Sequence, residues 1–318
     1  MPPRGADVEA AAMSGARVLR SLLFVPGDSE RKLARGLGSG ADALIVDLED
    51  SVEPGRLPAA RAQVLEFLQG ETKRTAAELW VRVNALSSGR LYEDVTAVLP
   101  GRPAGLVLPK VESYADIDRI ALTLEAIEAG HRLPIGSTRL IVIGTETPAA
   151  VLALGQYPQA AATHRACARR LAGLTWGMED LSAALGASAQ RGPDGSLRPV
   201  FEQARTTCLL AAAALGVQAL DGVFAEFRDA EGLQREARRA RADGFTGKLA
   251  IHPDQIPPIH AAFTPSAEEI EWAGRVLAAF EAAGTGVTAL DGRMIDRPHR
   301  LLAVRILSLA GIEPGASA

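Results

Sequence analysis

Two carboxylates, Glu146 and Asp180, stand where short apolar runs stop, in LIVIGTETP (140–148) and LAGLTWGMEDL (171–181). Acids at the ends of neighbouring strands can share one divalent cation. Mg²⁺ suits such a pair, because it is hard, prefers oxygen ligands and takes one or two carboxylates beside water and substrate oxygens. The competing reading is that each acid merely opens the following helix, and Thr147 and Pro148 give that reading equal standing at Glu146. What separates the two is the whole set of strand ends. Asp47, Glu49 and Asp50 follow the second apolar run, Arg82 and Asn84 the third, Lys110 and Glu112 the fourth, Glu146 the fifth and Asp180 the sixth. Each is costly to bury alone, so either an ion network satisfies them or a metal and an anionic substrate balance both signs. The second case suits a substrate that chelates the metal through a carboxylate and an adjacent hydroxyl or carbonyl. Arg82 would offer fixed donors to developing negative charge. Carbon–carbon cleavage or condensation through an enolate fits, with phosphoryl transfer and hydrolysis open beside it.

Eight apolar runs bounded by Gly, Pro or polar clusters read as strands: 21–27, 43–50, 79–84, 105–110, 140–146, 171–177, 219–227 and 248–253. Helical spacing fills the intervals, as at 114–129, where Ile117, Ile120, Leu124 and Ile127 share a face. Eight strand–helix units predict an α/β fold, a (β/α)8 TIM barrel whose chemistry gathers at the carboxyl ends of the strands. An open doubly wound sheet is the alternative. The Gly-rich GLGSGA (36–41) follows a helix-like stretch and precedes a strand, the reverse of a dinucleotide-binding turn, so it reads as a helix C-cap. The polar segment 186–199 predicts a long rim loop able to cover the site. A last barrel helix is expected at 266–283, then a hinge at Gly284 and Gly286 and another amphipathic helix near 299–310. The division predicted is a flexible tail over 1–18, a catalytic barrel over 19–283 and a C-terminal helical lid over 284–318.

Composition excludes several classes. A 47% hydrophobic content allows a large core in 318 residues, and 4% aromatics mean that Ala, Leu, Val and Ile build it. A net charge of −4 with no basic stripe argues against nucleic acid, and no run reaches the length of a membrane span. Cys167 and Cys208 lie far apart without a CxxC, which predicts reduced thiols in a cytoplasmic protein. The first eighteen residues lack the continuous apolar stretch of a secretory signal.

The segments RSLLFVPGDSERK, DLEDSVEP with Arg61 downstream, VRVN, GLVLPKVES, GTETP, GMEDLSAALGA and GKLAIHPDQI occur in this order. Over about residues 20–310 the chain thereby resembles the citrate lyase β-subunit-like family of the pyruvate/phosphoenolpyruvate aldolase superfamily. The resemblance implies a TIM barrel with a C-terminal lid, Mg²⁺, and cleavage of a 3-hydroxyacyl coenzyme A thioester of the citramalyl-CoA or malyl-CoA type. It implies Glu146 and Asp180 as metal ligands, Arg82 and Glu146 at the substrate, and Glu49 and Asp50 as acids around the metal, one of them a base for the substrate hydroxyl. Asp296 matches the lid acid that a neighbouring subunit contributes at the acetyl-CoA methyl, within a homo-oligomer, trimer or hexamer; capping the last helix is its other reading. Where many relatives carry Lys, this chain has Leu57 beside Arg56, which puts the coenzyme A phosphate contacts in question. His252 reads as a neutral, satisfied core residue rather than a base. A malyl-CoA thioesterase or malate-synthase-like activity, and a β subunit acting on a carrier-bound thioester in a multi-subunit citrate lyase, are the alternatives.

Overall fold

The computed structural model describes residues 18–71, 74–284 and 286–312. The expected tail, Val18 apart, lies outside them. The first half of the barrel runs β1 (Ser21–Pro26), α1 (Glu30–Leu37), β2 (Ala43–Asp47), α2 (Leu57–Glu71), β3 (Glu78–Arg82), α3 (Leu91–Val98), β4 (Gly105–Leu108) and α4 (Tyr114–Gly130). The second half runs β5 (Arg139–Ile143), α5 (Pro148–Ala153), α6 (Tyr157–Thr163), α7 (Arg165–Ala168), β6 (Leu171–Thr175), α8 (Met178–Leu185), α9 (Pro199–Leu215), β7 (Gln218–Asp221), α10 (Ala230–Asp243), β8 (Gly247–Ala250) and α11 (Ile256–Phe263). All eight expected strands pair in parallel with their sequence neighbours, and β8 closes on β1.

Alternation along each strand sorts the core into two shells. Leu22, Ile45, Trp80, Val107, Ile141, Leu220 and Leu249 fill the barrel. Leu23, Leu44, Val81, Leu106, Val142 and Leu174 face outward into the larger cluster beneath the helices. Trp80 is a plug in the inner shell: it is fully buried, and Gly105 is needed opposite, because a Cβ there would lie 2.3 Å from the indole. Its indole N–H donates to Glu78, whose carboxylate pairs with Arg139 at 2.7 Å. Since Glu78 and Arg139 begin their strands, the plug sits toward the amino ends and leaves the carboxyl ends as the open mouth.

The helices follow their sequence signals. In α4, Ser113 and Asp116 form a capping box, and Ile117, Ile120 and Leu124 are buried, with Ile127 partly so. GLGSGA does terminate α1, with Gly38 as C-cap and Gly40 at φ 76°. Cys167 and Cys208 are buried free thiols, and burial pushes the Cys167 thiol up to about 11.

Beyond the barrel come α12 (Ala267–Ala283), the antiparallel pair β9 (Val287–Leu290) and β10 (Arg293–Asp296), and α13 (Arg297–Leu309). The helix that follows the eighth strand is therefore the short α11, not the one expected at 266–283. α12 instead joins a separate apolar cluster, in which Ala273, Val276 and Phe280 pack on Ile295, Ala303, Ile306 and Leu307. Polar contacts stitch this unit to the barrel: Arg241 to Glu269 at 2.7 Å, and Arg305 to the Gly244 carbonyl. No helix among the described residues is long and apolar enough to cross a membrane.

Candidate active site

Asp47 is the last residue of β2 and pairs in register with Arg82, the last of β3. Its carboxylate accepts Arg82 Nε at 2.7 Å and Nη2 at 2.8 Å, together with the N–H groups of Glu49 and Ser51. Burial would raise the Asp47 pKa, but the guanidinium outweighs it and holds the carboxyl below its usual range. The remaining edge of Arg82 meets Glu49 at 2.9 Å and Asp50 at 3.3 Å, and the cation lies 4.9 Å over the Phe24 ring. Arg82 is thereby pinned on three sides, a fixed fork rather than a mobile chain.

Lys110, two residues past β4, lies in the left-handed region at φ 52°. Its N–H donates to Glu146 Oε2, while its ammonium meets Glu49, Asp50 at 3.3 Å and Asp180 at 3.5 Å. Glu49 is held above its ordinary pKa by burial, against the pull of Arg82 and Lys110.

Glu146 follows β5 by way of Gly144 and Thr145 and is 3% exposed. It is not the helix cap; Thr147 is, accepting the Ala150 N–H at 3.2 Å. Burial first, then the charges of Asp180 and Glu49, push its pKa up to about 8, with the Lys110 N–H acting against them. Asp180 lies in the first turn of α8, on the neighbouring strand unit, with its side chain 38% exposed. The two loops are locked together at Gly177, whose N–H donates to Thr145 Oγ1; a Cβ on Gly177 would stand 2.8 Å from Glu146 Cγ.

The fold thus gathers Glu49, Asp50, Arg82, Glu146 and Asp180 on one rim, with Asp47 and Lys110 between them. A strand-end acid alone does not mark this site. Asp221 ends β7, yet it is fully satisfied by Lys248 at 2.8 Å, Arg205 at 3.0 Å and the Trp176 indole at 2.8 Å, a closed ion network under α9 and α10. Glu146 differs, because the cation near it must serve three other acids as well. Asp296 stands apart from the rim, at the N-cap of α13, where its carboxylate lies 2.7 Å from His299 Nδ1.

A family model described as HpcH/HpaI aldolase/citrate lyase matches residues 20–253. The chain belongs to this aldolase/citrate lyase family. It is 37% identical over 291 residues to a citrate lyase subunit beta-like protein of Mycobacterium tuberculosis, covering 91% of this chain and 94% of that one. It is 33% identical to the mitochondrial citramalyl-CoA lyase of Rattus norvegicus (92% and 86% covered) and 34% identical to a (3S)-malyl-CoA thioesterase of Cereibacter sphaeroides (93% and 95%). Among solved structures, it resembles protein CitE from Mycobacterium tuberculosis in complex with magnesium, acetoacetate and coenzyme A. The TM-score is 0.71 at 34% identity, covering 92% of this chain and 98% of that one.

Within this aldolase/citrate lyase barrel, several neighbours of the site take structural duties. Arg61 pairs with Asp94 and Glu93, and Asp94 in turn holds Asn84. Leu57 is buried in the core, whereas Arg56 is exposed and pairs with Asp28 at 2.8 Å, so the two positions do point apart. His252 is satisfied but is not a core residue: its Nδ1 accepts the Asp254 N–H, and its ring stacks 5.0 Å from the partly exposed Phe227. The segment 186–199 is a rim loop, closed by the Arg191–Leu197 bridge and tied to Glu179 through Gln190 at 2.6 Å. Asp47 and Lys110 carry more of the geometry than strand-end position alone indicated. No further sequence signal marks these roles, which depend on the register between β2 and β3 and on a positive φ at Lys110.

Proposed function

We propose that this chain is a Mg²⁺-dependent acyl-CoA carbon–carbon lyase that cleaves a citramalyl-CoA or malyl-CoA type 3-hydroxyacyl thioester to acetyl-CoA and pyruvate or glyoxylate. The observation that carries the reading is the pair Glu146 and Asp180 on adjacent strand units, beside an Arg82 already immobilised by Asp47. The donor set fits Mg²⁺. Both acids offer hard oxygens, and Glu146 is a buried carboxyl whose ionised form lacks a dedicated counter-ion. A two-carboxylate site completed by water and substrate oxygens is the arrangement Mg²⁺ favours over zinc.

When bound, Mg²⁺ would supply Lewis-acid polarisation of the substrate's oxygens next to its carboxylate. The protein's own share starts with Arg82, which offers preorganised donors to developing enolate or carboxylate charge. Glu49 or Asp50 takes the proton of the 3-hydroxyl. The hydroxyl oxygen then becomes the carbonyl of the 2-oxo acid, and the electrons of the broken C–C bond pass to the thioester as an acetyl-CoA enolate. Asp296, on the lid of a neighbouring copy, delivers the proton to the enolate carbon. In this reading the barrel, expected over 19–283 and ending at α11, is the catalytic unit, and the C-terminal unit from α12 onward, with the expected lid over 284–318, covers it in a homo-oligomer.

A coupled assay with citramalyl-CoA and malyl-CoA, with and without chelator, tests the reading. Turnover is expected with at least one thioester and should vanish in excess EDTA; full activity in EDTA would sink the metal mechanism. A thiol reagent separates the hydrolytic reading that the thioesterase relative suggests, since lysis leaves the thioester intact and hydrolysis releases free coenzyme A. Activity only with a thioester on an acyl-carrier partner would mark a subunit of a larger citrate lyase.

A further inference from the structure

Lys110 is the residue that reaches all four acids around the mouth: Glu146 through its backbone N–H, and Glu49, Asp50 and Asp180 through its ammonium. It does so from φ 52°, a left-handed conformation that a non-glycine side chain adopts at a cost and that clusters at functional sites. That backbone twist lets one residue aim donors at both loops. The charge count shows why a cation is needed there. Among the described residues, Asp47, Glu49, Asp50 and Asp180 pair with two cations, Arg82 and Lys110, and Asp47 holds Arg82 at two points. Without metal, the ammonium is what ties Asp180 to Glu49 and Asp50.

The choice of lysine is informative. The chain has 34 basic residues, yet only Lys32, Lys73, Lys110 and Lys248 are lysines. Where this protein fixes a carboxylate permanently it mostly uses arginine, as at Arg82, Arg170 and Arg205. An arginine fork gives planar two-point pairing that resists displacement, whereas an ammonium is a point charge on a flexible stem. The Lys110 side chain is also 29% exposed, so it has open space to move into. A divalent cation between Glu146 and Asp180 would repel an ammonium 3.5 Å from Asp180 twice as strongly as a second ammonium would.

We propose that Lys110 is the resident counter-cation of the metal acids, and that Mg²⁺ entry displaces its ammonium toward the mouth, where it receives the carboxylate of the 2-oxo acid. The inference rests on Glu146 and Asp180 being the Mg²⁺ ligands. It makes the metal site and the carboxylate site two stations of one side chain, so that metal must bind first for the oxo acid to bind well.

The test uses the full-length protein with its lysines reductively ¹³C-methylated, followed by NMR through a Mg²⁺ titration, beside calorimetric Mg²⁺ binding to wild type, Lys110→Met and Lys110→Arg. The Lys110 resonance, assigned by its loss in Lys110→Arg, should move with the calorimetric Kd while that of exposed Lys32 stays still. Pyruvate or glyoxylate should shift it further only in the presence of Mg²⁺. Lys110→Met should bind Mg²⁺ at least threefold more tightly and the oxo acid at least tenfold more weakly. Lys110→Arg, with its charge kept but its fork anchored, should bind Mg²⁺ at least tenfold more weakly. A Lys110 resonance that does not move up to Mg²⁺ saturation, or one Kd shared by all three proteins, would overturn the proposal. Wild type that takes up no Mg²⁺ at all would overturn the metal reading itself, and this inference with it.

Discussion

Asp47 converts Arg82 from a long flexible side chain into a fixed pair of donors, and the loss of that constraint should be measurable. Replacing Asp47 with Asn keeps the volume but removes the charge that holds the fork. We expect kcat/KM to fall about 100-fold, about 2.7 kcal/mol, with the melting temperature showing whether the fold survives. Glu146→Gln and Asp180→Asn should each abolish Mg²⁺-dependent turnover, by at least about 1,000-fold, and leave the circular dichroism spectrum unchanged; wild-type activity in both would refute the ligand assignment. The sharing of one rim by Glu49, Asp50, Arg82, Glu146 and Asp180 was legible in the sequence, because residues that end parallel strands collect on one face. The particular duties of Asp47 and Lys110 were not. One depends on the register between β2 and β3, the other on a positive φ at a non-glycine residue, and neither leaves a local sequence pattern.

Among the elements, the joint between β5 and β6 is an exacting one. Gly177 has no room for a side chain beside Glu146, so Gly177→Ala should displace that carboxylate. A stability loss of about 1–3 kcal/mol is expected, along with weakened Mg²⁺ binding, read by denaturant unfolding and calorimetry. On the opposite face, the buried pair Glu128–Arg170 fastens the loop between α4 and β5, with Glu128 also accepting the N–H groups of Gly136 and Thr138. Burial raises the Glu128 pKa, but Arg170 and these donors overcome it and draw the carboxyl down to about 2. Because the folded pKa is depressed, the pair contributes its full stability above the ordinary Glu range and loses it as pH falls toward 2, up to about 3 kcal/mol. Glu128→Gln should therefore destabilise the protein at pH 7 and flatten the acid limb of a plot of unfolding free energy against pH. Strand and helix positions were readable because their periodicities are strong. The short helix α11, with Pro257 and Pro258 in its first turn, has too few turns to show a period. The hairpin of β9 and β10 was also missed although Asp291-Gly292 marks its turn, since its strands are mostly exposed and lack a clean buried face.

At the scale of the molecule, the C-terminal unit is a small body with its own apolar core, joined to the barrel by polar stitches. Its surface leaves Val287, Met294, Leu301 and Leu302 exposed. Asp296 sits on this unit while the acids sit on the barrel, which motivates a complementation test of the shared-site reading. Asp296→Asn and Asp180→Asn proteins, each inactive alone, should recover part of the wild-type activity, at most about a quarter if the mutant subunits assort randomly, when mixed under conditions of proven subunit exchange. No recovery after proven exchange would count against Asp296 acting across subunits.

Both thiols of this chain are buried under helices, and Cys167 is further held in its protonated form. For spectroscopy this makes the native protein a nearly silent background. A single cysteine at exposed Met294 and another on the barrel rim should take nitroxide labels selectively, and the distance between them would report whether the C-terminal unit moves relative to the barrel between turnovers.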